Sequence, residues 1–329
     1  MLNSLWEHFW STAHPFQVDL RTPFRGVRQR SGVVFPGPVG WGEFSPFTDY
    51  SDQRSALWLQ AAVEAACVPV SIPADATVAV NAIIGDSEDP GAATRRAIRE
   101  YGATTIKVKV GHDLARDLAT LDAVVAELID PRSRIRIDAN GRWTLEQARA
   151  ALRAMSGYPI EYVEQPCADR ESLRELHRDS PVPIAVDESI RIDHARDIHE
   201  IADLAILKVS PLGGLARTEH LAQQVGVPVR ISGALETSVG LFPSLCAAWL
   251  LAPEHAAGVG TGALFATDLV DATTLPRQGV IPVVPRAPDP VQLEAARVHP
   301  MAHAYWRERT RASWDLLPES TRALIASGL

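Results

Sequence analysis

Cysteine is scarce: the 329 residues contain three, Cys67, Cys167 and Cys246. They lie far apart and form no Cys-x-x-Cys pair, which excludes a disulfide scaffold and a thiolate zinc site. No G-x-G-x-x-G turn follows any strand-like run, which argues against a dinucleotide-binding sheet. Long apolar runs are also missing. The longest, around Leu241–Ala252, falls well short of the roughly 20 residues that cross a bilayer. Met1–Pro15 carries Glu7 and two histidines without a basic start or an apolar stretch, so it does not read as a signal peptide. Positive charge is in deficit, 32 Lys and Arg against 40 Asp and Glu, a net charge of −8. Nothing therefore draws the whole molecule to nucleic acid or to an anionic membrane. A soluble, cytoplasmic protein without either partner is expected. The one basic cluster, Arg21, Arg25, Arg28 and Arg30, reads as a solvated hairpin or loop.

What remains is an ordinary globular balance, 46% hydrophobic and 22% charged residues. A chain of this length buries about three quarters of its extended surface and needs no staples. Short Val- and Ile-rich runs alternate with helical patterns through its middle. Strands are expected at Val78–Ile83, Thr104–Lys109, Arg134–Asp138, Ile160–Glu164, Pro183–Asp187, Leu204–Val209, Pro228–Ser232 and Ala257–Gly260. The helices between them are punctuated. Pro90 opens one that Gly102 closes, and Thr144 with Gln147 forms a capping box. Eight buried strands alternating with helices predict a parallel α/β barrel.

The two ends differ. Residues 1–76 carry Gly26, Gly32, Gly37, Gly40 and Gly42 among alternating runs that read as an antiparallel hairpin or small sheet, then a helix from about Gln53 to Ala66. From residue 276 onward a Pro-rich stretch leads into helical patterns near Met301–Trp314 and Glu319–Ser327. The expected organisation is an N-terminal cap over 1–76, a barrel over 77–275, and a segment over 276–329 that returns to the cap.

In such a barrel the chemistry sits at the C-terminal ends of the strands. Five consecutive strands end in charge: Lys107-Val108-Lys109, Asp138-Ala139-Asn140, Glu164-Gln165-Pro166, Asp187-Glu188-Ser189 and Lys208-Val209-Ser210. One such residue is ordinarily the first solvated position after a buried run. Three carboxylates converging in one mouth repel each other unless a cation lies between them. All-oxygen ligands suit Mg²⁺ first and Mn²⁺ second. A cation that takes up charge, beside lysines, implies proton abstraction α to a carboxylate. Lys107 and the cation would lower the pKa of Lys109 toward neutrality. Strand alternation would turn Glu188 away, leaving Asp187 as the better ligand.

The order Lys-x-Lys, Asp-x-Asn, Glu-Gln-Pro, Asp-Glu-Ser, Lys resembles the signature of the enolase superfamily, muconate-lactonizing-enzyme subgroup. A lysine base working with Mg²⁺ is a known hallmark of that superfamily. Gly40-Trp41-Gly42-Glu43-Phe44-Ser45-Pro46 resembles its capping motif. The resemblance implies a modified (β/α)7β barrel with an α+β cap built from both termini. It implies Asp138, Glu164 and Asp187 as Mg²⁺ ligands, Lys109 as acid/base and Lys208 opposite it. Lys107 would tune Lys109 and contact the carboxylate of a small-molecule substrate, with Asn140 behind it.

The short chain, the compact cap, the stretch Ser232–Gly240 and the tail Gly258–Gly262 resemble the branch that dehydrates a hydroxylated cyclohexadiene carboxylate. There, Lys208 would stabilise charge rather than act as a base. Ser232, Gly233, Gly260 and Thr261 would meet the far end of the substrate. The loop from Pro23 to Gly32 would close over it, with Arg28 on a carboxylate and Phe47–Tyr50 as a second cap loop. The alternative is racemisation of an N-acylamino acid or epimerisation of a dipeptide, with Lys109 and Lys208 as two bases. Family members acting on dipeptides usually carry Asp-x-Asp on the eighth strand, where this chain has Gly260-Thr261-Gly262.

Overall fold

The computed structural model describes residues 2–24, 26–85, 89–192 and 196–326. Near the N-terminus, β1 (His14–Phe24), β2 (Val27–Pro36) and β3 (Trp41–Phe44) form an antiparallel sheet. The expected lid loop is thus mostly strand, with its turn around Gly26. Arg25 lies outside the described residues. The helix Asp52–Cys67, N-capped by Ser51, packs on this sheet. A helix at Leu2–Ser11 was not expected from the sequence. It buries Trp6, Phe9 and Trp10. Trp6 and Phe9 pack on Trp314 of the helix Pro300–Asp315, at centroid distances of 5.7 and 4.9 Å. Large aromatics spaced three and four apart bind the two termini into one apolar cluster with Phe16, Phe35, Phe44 and Trp306. The last helix covers Glu319–Ala326, so Ser327 of the expected helix lies outside the described residues.

The expected strand at 78–83 divides in two. β4 (Thr77–Ala79) is separate from β5 (Ala82–Ile84), which opens the parallel sheet. There follow β6 (Thr105–Lys109), β7 (Arg134–Asp138), β8 (Ile160–Glu164), β9 (Ile184–Val186), β10 (Leu204–Leu207) and β11 (Val229–Ile231). β12 (Val280–Pro282) pairs antiparallel with β4. β5 to β11 lie side by side in sequence order. The expected eighth strand is reduced to two parallel bridges, Ser232 to Gly258 and Val80 to Ala257. They join the two edges of the seven-stranded sheet and close the ring.

Helix ends follow the punctuation. Asp89 caps the helix Pro90–Tyr101, and Gly102 ends it at φ 70°, where a Cβ would collide with Gln278. The Thr144–Gln147 capping box is formed at the helix Leu145–Ala154; such caps are worth about 1 kcal/mol each. A second apolar cluster, including Ile106, Ile135, Ile137, Val163 and Ile184, fills the space between strands and helices. Among the described residues no helix is long and apolar enough to cross a membrane.

Candidate active site

Strand register gathers the charged ends. Lys109 pairs with Asp138 across β6 and β7, and Asp138 with Glu164 across β7 and β8. These three side chains therefore form one inward layer. Glu164 pairs with Ala185 on β9, which sets Asp187 two residues further along, on the same face. The stagger continues, with Val186 opposite Ala205 and Lys208 just past the end of β10.

Gln165 holds the next step of this stair. Its backbone is left-handed, at φ 41°. Its side-chain oxygen accepts from the N–H groups of Asp187 and Ser189, and its Nε2 donates to the Ser189 hydroxyl and the Cys167 carbonyl. A fully satisfied buried amide fixes the two strand ends against each other.

Asp138, Glu164 and Asp187 are each at most 2% exposed. Lys107 Nζ lies 2.6 Å from Glu164 and 2.8 Å from Asp138. Lys109 Nζ donates to Asp138 at 2.6 Å and to the Asn140 side-chain oxygen at 2.7 Å. Lys208 Nζ and Arg191 hold the two oxygens of Asp187. Burial works against every charge here, and the neighbours decide the outcome. Burial pushes the Lys107 ammonium pKa down, but the Asp138 and Glu164 carboxylates outweigh it and lift it well above its ordinary value. Asp138 and Asp187 resist burial through their cations. Lys107 and Lys109 hold Asp138 far below the usual range, and Lys208 with Arg191 holds Asp187 at about 2. Glu164 goes the other way, raised to about 7 by burial and by repulsion from Asp138.

Among the described residues, no three acidic, histidine or cysteine side chains stand close enough together to grip an ion as they are. Lysines bridge the carboxylates instead. The donor set nevertheless fits a hard cation. Glu164 Oε1 is buried and has no hydrogen-bond partner among the described residues, and Thr261 Oγ1 and Glu188 Oε2 are in the same condition nearby. Three buried carboxylates with a spare oxygen, one of them uncomfortable as an anion, are the ligands such an ion takes.

The cavity above them, about 40 Å³, is lined by Lys107, Lys109, Asp138, Asn140, Lys208, Ser232, Gly233 and Thr261. Gly260 instead borders a neighbouring cavity of about 380 Å³, together with Arg21 and Arg96. Arg28 is exposed on β2 and does not line the site. The buried member of the arginine cluster is Arg30. It donates to the carbonyls of Ser45 and Leu235 and lies 4.3 Å over the Phe47 ring. Phe24 and Phe47 bring both cap loops to the cavity.

Glu188 corrects the expectation that it faces away. β9 stops at Val186 and a short helix starts at Glu188, so strand alternation no longer applies. The side chain turns into the cavity and accepts from Asn140 Nδ2 at 3.3 Å. Arg191 escaped notice altogether. It sits one helical turn beyond Asp187, a spacing that could have pointed to it.

A closed parallel barrel under a two-ended cap, with acids and lysines in register at its mouth, defines an enolase-type protein. Residues 91–288 match the family description Enolase C-terminal domain-like, and residues 16–66 match Enolase N-terminal domain-like. The chain belongs to the enolase family. Among its relatives is the o-succinylbenzoate synthase of Thermobifida fusca, 41% identical over 316 residues, covering 92% of this chain and 97% of that protein. The o-succinylbenzoate synthase of Mycolicibacterium smegmatis is 38% identical over 317 residues, covering 92% and 95%. Among solved structures, the chain is similar to the muconate lactonizing enzyme of Pseudomonas fluorescens complexed with muconolactone. The TM-score is 0.73 at 18% identity, covering 87% of this chain and 98% of that one. The L-Ala-D/L-Glu epimerase of Bacillus subtilis gives a TM-score of 0.72 at 21% identity, covering 84% and 96%. At such identities these two structures bear on the fold alone.

Proposed function

We propose that this chain is an o-succinylbenzoate synthase, a carbon–oxygen lyase of menaquinone biosynthesis acting in the cytoplasm. Its substrate would be 2-succinyl-6-hydroxy-2,4-cyclohexadiene-1-carboxylate, and syn loss of water would give 2-succinylbenzoate. The relatives at 38–41% identity support the reaction. The observation that carries the site is Lys109 and Lys208, each tied to a different carboxylate of the Asp138, Glu164, Asp187 set.

Asp138, Glu164 and Asp187 would hold Mg²⁺, or Mn²⁺ in its place, which supplies neutralisation of charge growing on the substrate carboxylate. Lys109 Nζ takes the α-proton and returns it to the departing hydroxyl, so one group on one face serves both halves of a syn elimination. Lys208 Nζ faces the growing negative charge as a fixed cation. Lys107, held as an ammonium between Asp138 and Glu164, supplies a second fixed positive charge beside Lys109. Asn140 orients Lys109 through its side-chain oxygen. Ser232, Gly233 and Thr261 form the wall that meets the succinyl end, and Phe24 and Phe47 cover the cavity from the cap. In this reading residues 1–76 and 276–329 build the cap and 77–275 the barrel.

A racemase or epimerase activity on N-acylamino acids or dipeptides is the second reading. What favours it is the same lysine pair, which would supply a base on each face. The test is a spectrophotometric assay with the cyclohexadiene carboxylate. Diene absorbance should fall with Mg²⁺ and hold steady with EDTA. No turnover by folded, Mg²⁺-loaded protein overturns the dehydratase reading. Deuterium incorporation into N-acylamino acids in D₂O would then establish the second.

A further inference from the structure

A cavity of about 300 Å³ lies between the cap helix Asp52–Cys67 and the barrel segments that follow β9 and β10. It shares no lining residue with the site above. Its charged lining is of one sign: Arg54, Arg191 and Arg217 contribute guanidinium groups, and no Asp or Glu lines it. Arg54 and Arg217 pair with no carboxylate among the described residues, and Arg54 rests 5.8 Å from the Tyr50 ring centre. Leu57, Leu212 and Trp58 give the wall an apolar side, and His220 and Gln224 add neutral polar groups. The indole N–H of Trp58, itself 1% exposed, has no acceptor among the described residues. Asp187 offsets Arg191, but the exposed Arg54 and Arg217 bring two further guanidinium groups to the same hollow in a chain of net charge −8, and like charges gathered this way are relieved by an anion that joins them. The volume falls at the small end of ligand pockets.

We infer that this cavity is a binding site for a small organic anion, a carboxylate on an apolar body, and that its occupancy is coupled to the metal site through Arg191. Arg191 lines the cavity with one face and holds Asp187 Oδ1 with the other. Lys208 occupies the second oxygen of Asp187. An anion between Arg54 and Arg217 draws Arg191 toward itself and releases Asp187 Oδ1 as a ligand. The two occupancies then help each other, and the help is reciprocal. The coupling rests on the proposed role of Asp187 as a Mg²⁺ ligand; the cavity's anion preference does not.

Isothermal titration of the full-length, metal-free protein with benzoate tests the site, alongside an Arg54→Ala/Arg217→Ala variant that leaves the proposed reaction groups intact. Wild type should bind benzoate saturably, and the variant about tenfold or more weakly. Equal binding by the two proteins overturns the site, and so does sulfate binding as tightly as benzoate. Mg²⁺ is then titrated with and without saturating benzoate. The Mg²⁺ affinity of wild type should rise about fivefold or more, and that of the variant should not move. The same rise in both proteins, or no rise in wild type, overturns the coupling. Wild type that takes up no Mg²⁺ under either condition breaks the assignment of Asp187 instead, while the benzoate comparison still stands.

Discussion

Glu43 of the cap accepts hydrogen bonds from both the backbone N–H and the hydroxyl of Thr237 in the barrel, the latter at 2.5 Å. The same carboxylate takes the N–H of Gly240 and the hydroxyl of Ser45. It is buried, and burial raises its pKa although the hydroxyl bonds pull it down. The segment it clamps, residues 232–240, supplies one wall of the cavity.

Glu43→Ala strips four donors of one acceptor in a buried place. The expected cost is about 2–4 kcal/mol of stability, read as a lower midpoint in urea with an unchanged slope. Turnover should fall as well, because the segment that carries Ser232 and Gly233 loses its clamp at Thr237 and Gly240. A variant as stable and active as wild type would show that the cap is held elsewhere.

Lys109→Ala removes the proposed proton carrier. Turnover should drop about 10²–10⁴-fold, while Mg²⁺ affinity stays within a fewfold of wild type. Single-turnover rates together with metal titration separate the two effects. Retention of most of kcat moves the acid/base role to another group.

Much of this was legible in the sequence for simple reasons. Buried parallel strands are continuous apolar runs, so β6, β7 and β8 stand out, and their polar ends mark the mouth. Asp138, Glu164 and Lys109 could be placed together because adjacent parallel strands of similar length put their ends in register. Residues at element boundaries were harder. The rule that neighbours alternate sends Glu188 away from Asp187, but it ceases to hold where a strand turns into a helix. Arg28 and Arg30 share a charge and a strand face, and only packing against Phe47 and Leu235 selects the buried one. The helix Leu2–Ser11 was not legible because its apolar positions are stabilised by Trp314, some 300 residues away.

Glu188 and Asn140 should act on Lys109 from behind. Asn140 gives its Nδ2 to Glu188 and its oxygen to Lys109, so Glu188 fixes which way the amide faces. Glu188→Ala frees the amide and should lower kcat about tenfold with KM little changed, as expected when a reacting group is misplaced rather than lost. Glu188→Gln keeps a carbonyl acceptor and should recover most of that loss. If Gln and Ala are equally impaired, the carboxylate charge matters and the positioning role fails.

Metal uptake should carry a proton signature. Without metal, burial and Asp138 raise Glu164 to about 7, whereas Asp138 and Asp187 are already ionised under their cations. A cation needs the ionised carboxylate, so metal and proton compete at Glu164. Below about pH 7 the group is mostly protonated, and Mg²⁺ affinity should rise nearly tenfold per pH unit. Above that pH the affinity should level off. Titration calorimetry in two buffers of different ionisation heat counts the proton directly: close to one released at about pH 6, and close to none at about pH 8. Glu164→Gln should abolish the release and weaken Mg²⁺ binding at every pH. An affinity flat across this range, with no proton released, would mean that Glu164 is already an anion before the metal arrives.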